Sequence, residues 1–369
     1  MTPRLHHSIA PLAFAILALL ALLCGQSHAQ DARFQRFDQD GDGRISREEA
    51  KGTLLEPRFD ALDRNRDGFI TPDEVPRRRA AGTARADSAA EGVVTHLDIR
   101  YAEAPPGVDP NHLSLDVYAP EGAGNLPVMI YIHGGGWRTG DKRSIHGKPV
   151  YFTGRGFVFV SLNYRLVPAV DILTQLQDSA DAVGWVKRNI ATYGGDPARL
   201  HLIGHSAGAH HVAILATNER FLQKAGAALA DLRSVVELDT QALDVPELMR
   251  ASSNALYLQA FGKDPEVWKQ VSPRDHVAAG KGIPPFFLVV ADGRGPKLAQ
   301  AAAFQEALQA AGVRCEFVEA PQHDHGSVNR ALGDPQDEVT QAMEAFHDSL
   351  PGAERGAAAR KPGTSRGIP

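Results

Sequence analysis

Residues 204–208 read Gly204-His205-Ser206-Ala207-Gly208, between the apolar run Leu200–Ile203 and a helix-like stretch, Ala207–Thr217. A G-x-S-x-G sequence between a strand and a helix holds its serine on a sharp turn with the hydroxyl exposed. The N–H of the following residue, Ala207, then points at charge developing on a reacting carbonyl. Further upstream the chain reads His133-Gly134-Gly135-Gly136-Trp137, again after an apolar run. Glycines lack Cβ, so their backbone can approach a reacting carbonyl closely and present N–H groups to it. The two motifs in this order predict a nucleophilic serine, Ser206, with Gly135, Gly136 and Ala207 as oxyanion donors.

An alkyl hydroxyl is a weak nucleophile at neutral pH and needs an imidazole base oriented by a carboxylate. In this type of site the chain order is serine, acid, histidine. The long apolar strand Pro285–Ala291 ends at Asp292. A carboxylate there lies on the sheet edge that carries the serine turn. Asp292 is therefore the expected acid, with Asp239 and Glu319 as fallbacks. The loop after the last strand carries His323-Asp324-His325-Gly326, and His325 is the expected base, with His323 its rival. His133 is read as shaping the glycine loop. His205, His210 and His211 surround a strand–turn–helix and cannot all point one way, so they are read as packing or hydrogen-bonding groups rather than metal ligands. Trp137 either lines the pocket or packs beneath it.

Around these motifs, strand-like and helix-like stretches alternate. Strands are predicted at Leu97–Tyr101, Leu113–Tyr118, Val128–His133, Phe157–Asn163, Leu200–Gly204, Ser234–Leu238, Pro285–Ala291 and Arg314–Glu319. Helices are predicted at Ile172–Tyr193, Ala207–Thr217, Pro296–Ala311 and Gln336–Ser349. This alternation implies an α/β fold, a mainly parallel sheet covered on both faces. The first two strands have a short connection and are expected to pair antiparallel.

The N-terminal part has a different chemistry. Asp38-Gln-Asp40-Gly-Asp42-Gly43-Arg44-Ile45-Ser46-Arg-Glu-Glu49 fits a twelve-residue EF-hand loop, and so does Asp63-Arg-Asn65-Arg-Asp67-Gly68-Phe69-Ile70-Thr71-Pro-Asp-Glu74. Calcium takes six to eight hard oxygens at about 2.3–2.6 Å. Asp38, Asp40, Asp42, Asp63, Asn65 and Asp67 supply carboxylates or an amide. Arg44 and Phe69 supply backbone carbonyls, Ser46 and Thr71 hydroxyls, and Glu49 and Glu74 bidentate carboxylates. Ile45 and Ile70 occupy matching positions where the two loops can pair as short strands. The pair is expected to bind about two calcium ions, as a structural staple, and the chemistry at Ser206 calls for no cofactor.

Residues 1–29 read as a secretory signal peptide. Arg4 precedes an apolar run from Ile9 to Leu23, and Ser27-His28-Ala29 forms a small-x-small cleavage pattern. The run is short for a membrane span, so a periplasmic or secreted protein without stable membrane insertion is expected. Cys24 raises lipoprotein anchoring, but Leu23 stands where such a site wants a small residue. With Cys24 removed, Cys315 is alone and forms no intrachain disulfide. The expected organisation is signal peptide 1–29, EF-hand pair 30–76, linker 77–94, a large α/β domain 95–350 and a disordered tail 351–369. A net charge of −5, with no basic patch interleaved with aromatics, argues against nucleic acid as partner.

Residues 95–350 resemble the α/β-hydrolase superfamily, in the branch of bacterial esterases, feruloyl-esterase-like and kynurenine-formamidase-like proteins. The matching stretches are His133–Trp137, Asn163-Tyr164-Arg165, Gly195-Asp196-Pro197 and Gly204–His210. The resemblance implies an eight-stranded, mostly parallel sheet, a Ser-His-Asp mechanism and a small-molecule ester substrate. Hormone-sensitive-lipase-like enzymes share the His-Gly-Gly-Gly run but usually carry cap helices ahead of the first strand, where this chain has its linker and EF-hands. The first module resembles an EF-hand pair, which makes the whole an α/β-hydrolase preceded by a small all-α unit. A formamidase-type amide hydrolase is the alternative activity. A calcium-binding surface protein with an inactive hydrolase module is the alternative of another class.

Overall fold

The computed structural model describes residues 92–292 and 295–351, and, nearer the N-terminus, residues 37, 44–51, 53, 56, 59–63 and 67–71. The expected signal peptide, most of the linker and nearly all of the expected tail lie outside the described residues, as do Asp38, Asp40, Asp42, Asn65 and Glu74. The chain divides into two compact units, residues 1–83 and 84–369.

In the first unit, β1 (Ile45–Ser46) and β2 (Phe69–Ile70) pair antiparallel, with Ile45 opposite Ile70. Both isoleucines are buried, together with Ala50 and Phe59, and Phe37 and Leu62 pack against them. Ser46 caps the short helix α1 (Arg47–Ala50) through a capping box. Its Oγ accepts from the Glu49 N–H, and Glu49 Oε2 accepts from the Ser46 N–H at 2.8 Å. The second helix here is α2 (Phe59–Leu62).

The large unit is one eight-stranded sheet. Its strands are β3 (Val93–Arg100), β4 (Ser114–Pro120), β5 (Leu126–Ile132), β6 (Val158–Leu162), β7 (Gly195–His205), β8 (Leu232–Leu238), β9 (Phe286–Ala291) and β10 (Cys315–Ala320). Their order across the sheet is β10-β9-β8-β7-β5-β6-β4-β3. The pairs from β6 to β10 are parallel, while β3–β4 and β4–β6 are antiparallel. All eight expected strands are present, and so is the antiparallel pairing of the first two.

Both faces of the sheet are covered, so central strands read as unbroken apolar runs. Along β5, Val128, Ile130 and Ile132 enter one core, and Met129 and Tyr131 enter the other. The helices expected from periodicity appear as α4 (Ile172–Asn189), α5 (Ala207–Thr217), α10 (Pro296–Ala310) and α12 (Glu338–Asp348). Between them lie helices that were not expected: α3 (Lys148–Gly154), α6 (Glu219–Lys224), α7 (Val245–Ala251), α8 (Ala255–Phe261), α9 (Pro265–Gln270) and α11 (Ser327–Ala331). Each spans two turns or fewer, too short for a 3.6-residue pattern to emerge. β3 begins four residues earlier than expected because this edge strand is mostly exposed and lacks apolar alternation.

Candidate active site

The serine turn is built by steric exclusion. A Cβ at Gly204 would lie 2.2 Å from the Gly208 carbonyl oxygen, and one at Gly208 would lie 2.0 Å from that of Ile132. Only glycines let the start of helix α5 approach the ends of strands β7 and β5 this closely. Ser206 between them has φ 58° and ψ −118°, a strained conformation for a side-chain-bearing residue. Its N–H is held by the Leu238 carbonyl at 2.9 Å.

The glycine run after β5 packs against this turn. A Cβ at Gly134 would lie 2.7 Å from the His205 carbonyl oxygen, and Gly135 and Gly136 have φ of 129° and 60°. Among the described residues, the N–H groups of Gly135 and Gly136 have no protein acceptor. Neighbouring groups fix the loop. The Tyr164 hydroxyl donates to the His133 carbonyl at 2.9 Å, and the two rings stack at 4.5 Å. Asn163 Oδ1 accepts from the Lys142 N–H at 2.6 Å. Gln175 donates to the Trp137 carbonyl at 2.7 Å. Trp137 is buried against His210, Tyr257 and Phe261, so it packs beneath the loop.

His325 lies in the loop between β10 and α11. Its Nε2 is 2.9 Å from Ser206 Oγ, and its Nδ1 is 2.6 Å from Asp239 Oδ2. With Nδ1–H donating to the carboxylate, Nε2 accepts the serine hydroxyl proton. The expected acid, Asp292, is therefore corrected to Asp239, one of its fallbacks. Sheet order is the reason. β8, which ends at Leu238, is the direct neighbour of β7, while β9, which leads to Asp292, is one strand further out. Asp292 is more than half exposed and pairs with Lys297 at 3.2 Å. It faces a polar cleft of about 470 Å³ that Gln241, Lys297 and Pro321 also line. Its N–H donates to the His323 carbonyl at 2.8 Å. His323 is engaged elsewhere, with Nε2 2.6 Å from Asp337 and Nδ1 3.2 Å from Ser327. The other fallback, Glu319, is on β10 and exposed.

Asp239 is fully buried, which pushes its carboxyl up. Hydrogen bonds from His325 and Lys297 outweigh burial and hold it below the ordinary value. The N–H of Ala291 also donates to its Oδ1 at 2.8 Å.

The three histidines around the serine do not converge. His205 Nε2 donates to the His325 carbonyl at 2.6 Å, which ties down the loop of the base. His210 accepts from Trp137 and donates to the Val271 carbonyl at 2.7 Å. His211 pairs with Ser179 at 2.9 Å. Among the described residues, no group of His, Cys, Asp or Glu side chains is arranged to hold a metal.

Burial keeps these imidazoles neutral. It lowers His133, His201 and His211, and pushes His205 down to about 3 and His210 down to about 4. Unfolding returns them to an ordinary value of about 6.5, where they bind protons that the folded state refuses. The stabilising difference is complete above about 6.5 and is lost as pH falls toward 4. Each contributes up to about 1.4 kcal/mol per pH unit across that window. The melting temperature should fall by about 10 °C or more between pH 7 and pH 5. Calorimetry showing a flat melting temperature over that range would refute this account.

In the EF-hand region, the described part of the second loop is closed by its own carboxylates. Asp63 is buried, and its two oxygens accept from the Asp67 and Gly68 N–H groups at 3.1 and 3.0 Å. Asp67 Oδ1 accepts from the Phe69 N–H at 3.0 Å. Gly68 has φ 90°, the left-handed turn that the loop requires. The hard oxygen donors of Ser46, Glu49, Asp63, Asp67 and Thr71, with the carbonyls of Arg44 and Phe69, fit calcium.

The BD-FAE family profile matches residues 115–294, and the EF hand profile matches residues 30–49 and 55–75. Carboxylesterase NlhH of Mycobacterium tuberculosis is 33% identical over 224 residues, covering 56% of this chain and 68% of that protein. Esterase LipQ of the same organism is 32% identical over 214 residues, 54% of this chain and 50% of that protein. Among solved structures, esterase B from Lactobacillus rhamnosis superposes with a TM-score of 0.60 at 23% identity, covering 73% of this chain and 93% of the other. A truncated carbohydrate esterase from gut microbiota gives 0.56 at 20% identity, with 69% and 94% covered. These two likenesses speak for the fold. Together with the sequence relatives, they place the geometry in context: the chain belongs to the carboxylesterase-type α/β-hydrolases, with an EF-hand region preceding the hydrolase domain.

Proposed function

We propose that the protein is an exported hydrolase of carboxylic esters that works through an acyl-enzyme on Ser206 and carries calcium in its EF-hand region. The relay from Ser206 through His325 to Asp239 is the observation that carries this reading. His325 Nε2 takes the hydroxyl proton as Ser206 Oγ attacks the acyl carbon. Gly135, Gly136 and Ala207 donate N–H groups to the resulting oxyanion, and Asp239 stabilises the imidazolium. The proton passes to the leaving alkoxide, which departs as the alcohol. Water, activated by the same imidazole, then releases the acid and restores Ser206.

The acidic loops and the Asp63 hydrogen bonds support calcium binding. Nothing in the proton relay draws on that metal, so calcium acts as a structural staple that raises stability by binding the folded form. The apolar run and small-x-small pattern of residues 1–29 support export.

Full-length protein should label with a fluorophosphonate probe and hydrolyse p-nitrophenyl esters of short acyl chains faster than N-formyl aryl amides. EDTA should lower the melting temperature while changing the ester rate by less than about tenfold, a coupling of about 1.4 kcal/mol. Absence of labelling would favour a calcium-binding protein without hydrolase activity. A larger, calcium-reversible loss of rate would make the EF-hands a regulator.

A further inference from the structure

A lysine sits against the carboxylate of the relay. Lys297 Nζ is 3.0 Å from Asp239 and 3.2 Å from Asp292 Oδ1. Its residue is only 8% exposed, on the first turn of α10, whose start the Gly295-Pro296 step sets. Asp239 thus accepts from three donors: the His325 ring, the Lys297 ammonium and the Ala291 N–H.

The groups around Asp239 come from every neighbouring element. From β8, Glu237 is buried, and burial pushes its carboxyl well up. From the end of β7, His205 is neutral for the same reason of burial. From the end of β9 comes the exposed Asp292, and from α10 comes Lys297. The loop after β10 supplies His325, preceded by His323, which turns to Asp337, and by the exposed Asp324, which accepts from the Gly326 and Ser327 N–H groups. Lys297 bonds both Asp239 and Asp292, so it is a cation that lies directly on the carboxylate of the relay.

We propose that Lys297 is a positioning residue of the hydrolytic site, clamping the Asp239 carboxylate and offsetting its charge so that His325 stays an unprotonated base to lower pH. The inference rests on the serine-hydrolase reading above. An unopposed buried carboxylate favours the imidazolium strongly. A cation on the same carboxylate weakens that pull. It costs some stabilisation of the imidazolium in the transition state and extends the pH range over which the base is free. The carboxylate also keeps its orientation without depending on the half-exposed histidine alone, because a second strong donor holds it when the imidazole moves.

The test is the pH profile of kcat/KM on p-nitrophenyl acetate, using the full-length protein. Lys297→Met should move the acidic limb up by about one pH unit, so that rates below the limb fall about tenfold more than the plateau does. Lys297→Arg should restore the wild-type limb. Asp292→Asn, an exposed change at a φ of 56° that asparagine tolerates, should move the limb down by a few tenths of a unit. A plateau that falls with all limbs coincident would reduce Lys297 to a structural role and overturn the inference. If Lys297→Met does not fold, an unmoved limb in Asp292→Asn overturns it alone. Fluorophosphonate labelling of each variant separates the two readings. Unlabelled Ser206 in the wild type sinks the serine reading itself, whereas normal labelling with unmoved limbs sinks only the role of Lys297.

Discussion

Ser206→Ala should reduce ester hydrolysis by at least about 10³-fold and abolish fluorophosphonate labelling. The three side chains of the relay act as a unit, so removing the nucleophile removes the contribution of all of them. The residual rate comes from the oxyanion donors and from substrate positioning, which the substitution leaves in place. The fold should survive. Alanine meets the same strain as serine at φ 58° and ψ −118°, and the backbone bond from residue 206 to the Leu238 carbonyl does not involve the side chain. The melting temperature should therefore stay within about 2 °C of wild type. Activity above a few per cent in a correctly folded variant would exclude Ser206 as the nucleophile.

Asp239→Asn should cost about 10³–10⁴-fold in kcat, while Asp292→Asn should stay within a few-fold of wild type at neutral pH. An amide at position 239 can present its NH₂ or its oxygen to His325 Nδ1, and it carries no charge to balance the imidazolium. It also leaves Lys297 with the exposed Asp292 as its remaining carboxylate. Asparagine is a better probe than alanine, which would leave the buried ammonium facing a cavity. Position 292 touches the relay only through Lys297 and its own backbone, and that backbone is unchanged by the substitution. Steady-state kinetics on both variants decides between the carboxylates. If the two losses are reversed, Asp292 is the acid.

Much of this was legible in the chain, for identifiable reasons. The eight strands showed because both faces of the sheet are buried, so each central strand is a continuous apolar run. The serine turn and the glycine loop showed because backbone contacts of 2.0–2.7 Å to a hypothetical Cβ leave no residue but glycine at Gly204, Gly208 and Gly134. Constraints of that kind act at fixed spacing along the sequence. The short helices between α5 and β9 did not show, because two turns carry too few residues for a periodic signal. Lys297 gave no signal at all, since a lysine in the first turn of a helix is ordinary until a buried carboxylate is found beside it.

Sequence alone determined the residue types, the order serine–acid–histidine, and the pairing of Ile45 with Ile70 across two acidic loops. It favoured Asp292 over Asp239, and nothing local in the chain separates the two. Each follows an apolar strand, and each adopts a left-handed backbone, with φ of 61° and 56°. The choice lies in which strand is the neighbour of β7. Strand order is set by how helices and crossovers pack in three dimensions, through contacts between residues far apart in the chain, and no local pattern encodes it. The tertiary structure seats β8 beside β7, and that adjacency alone brings Asp239 within 2.6 Å of His325 and leaves Asp292 facing the cleft.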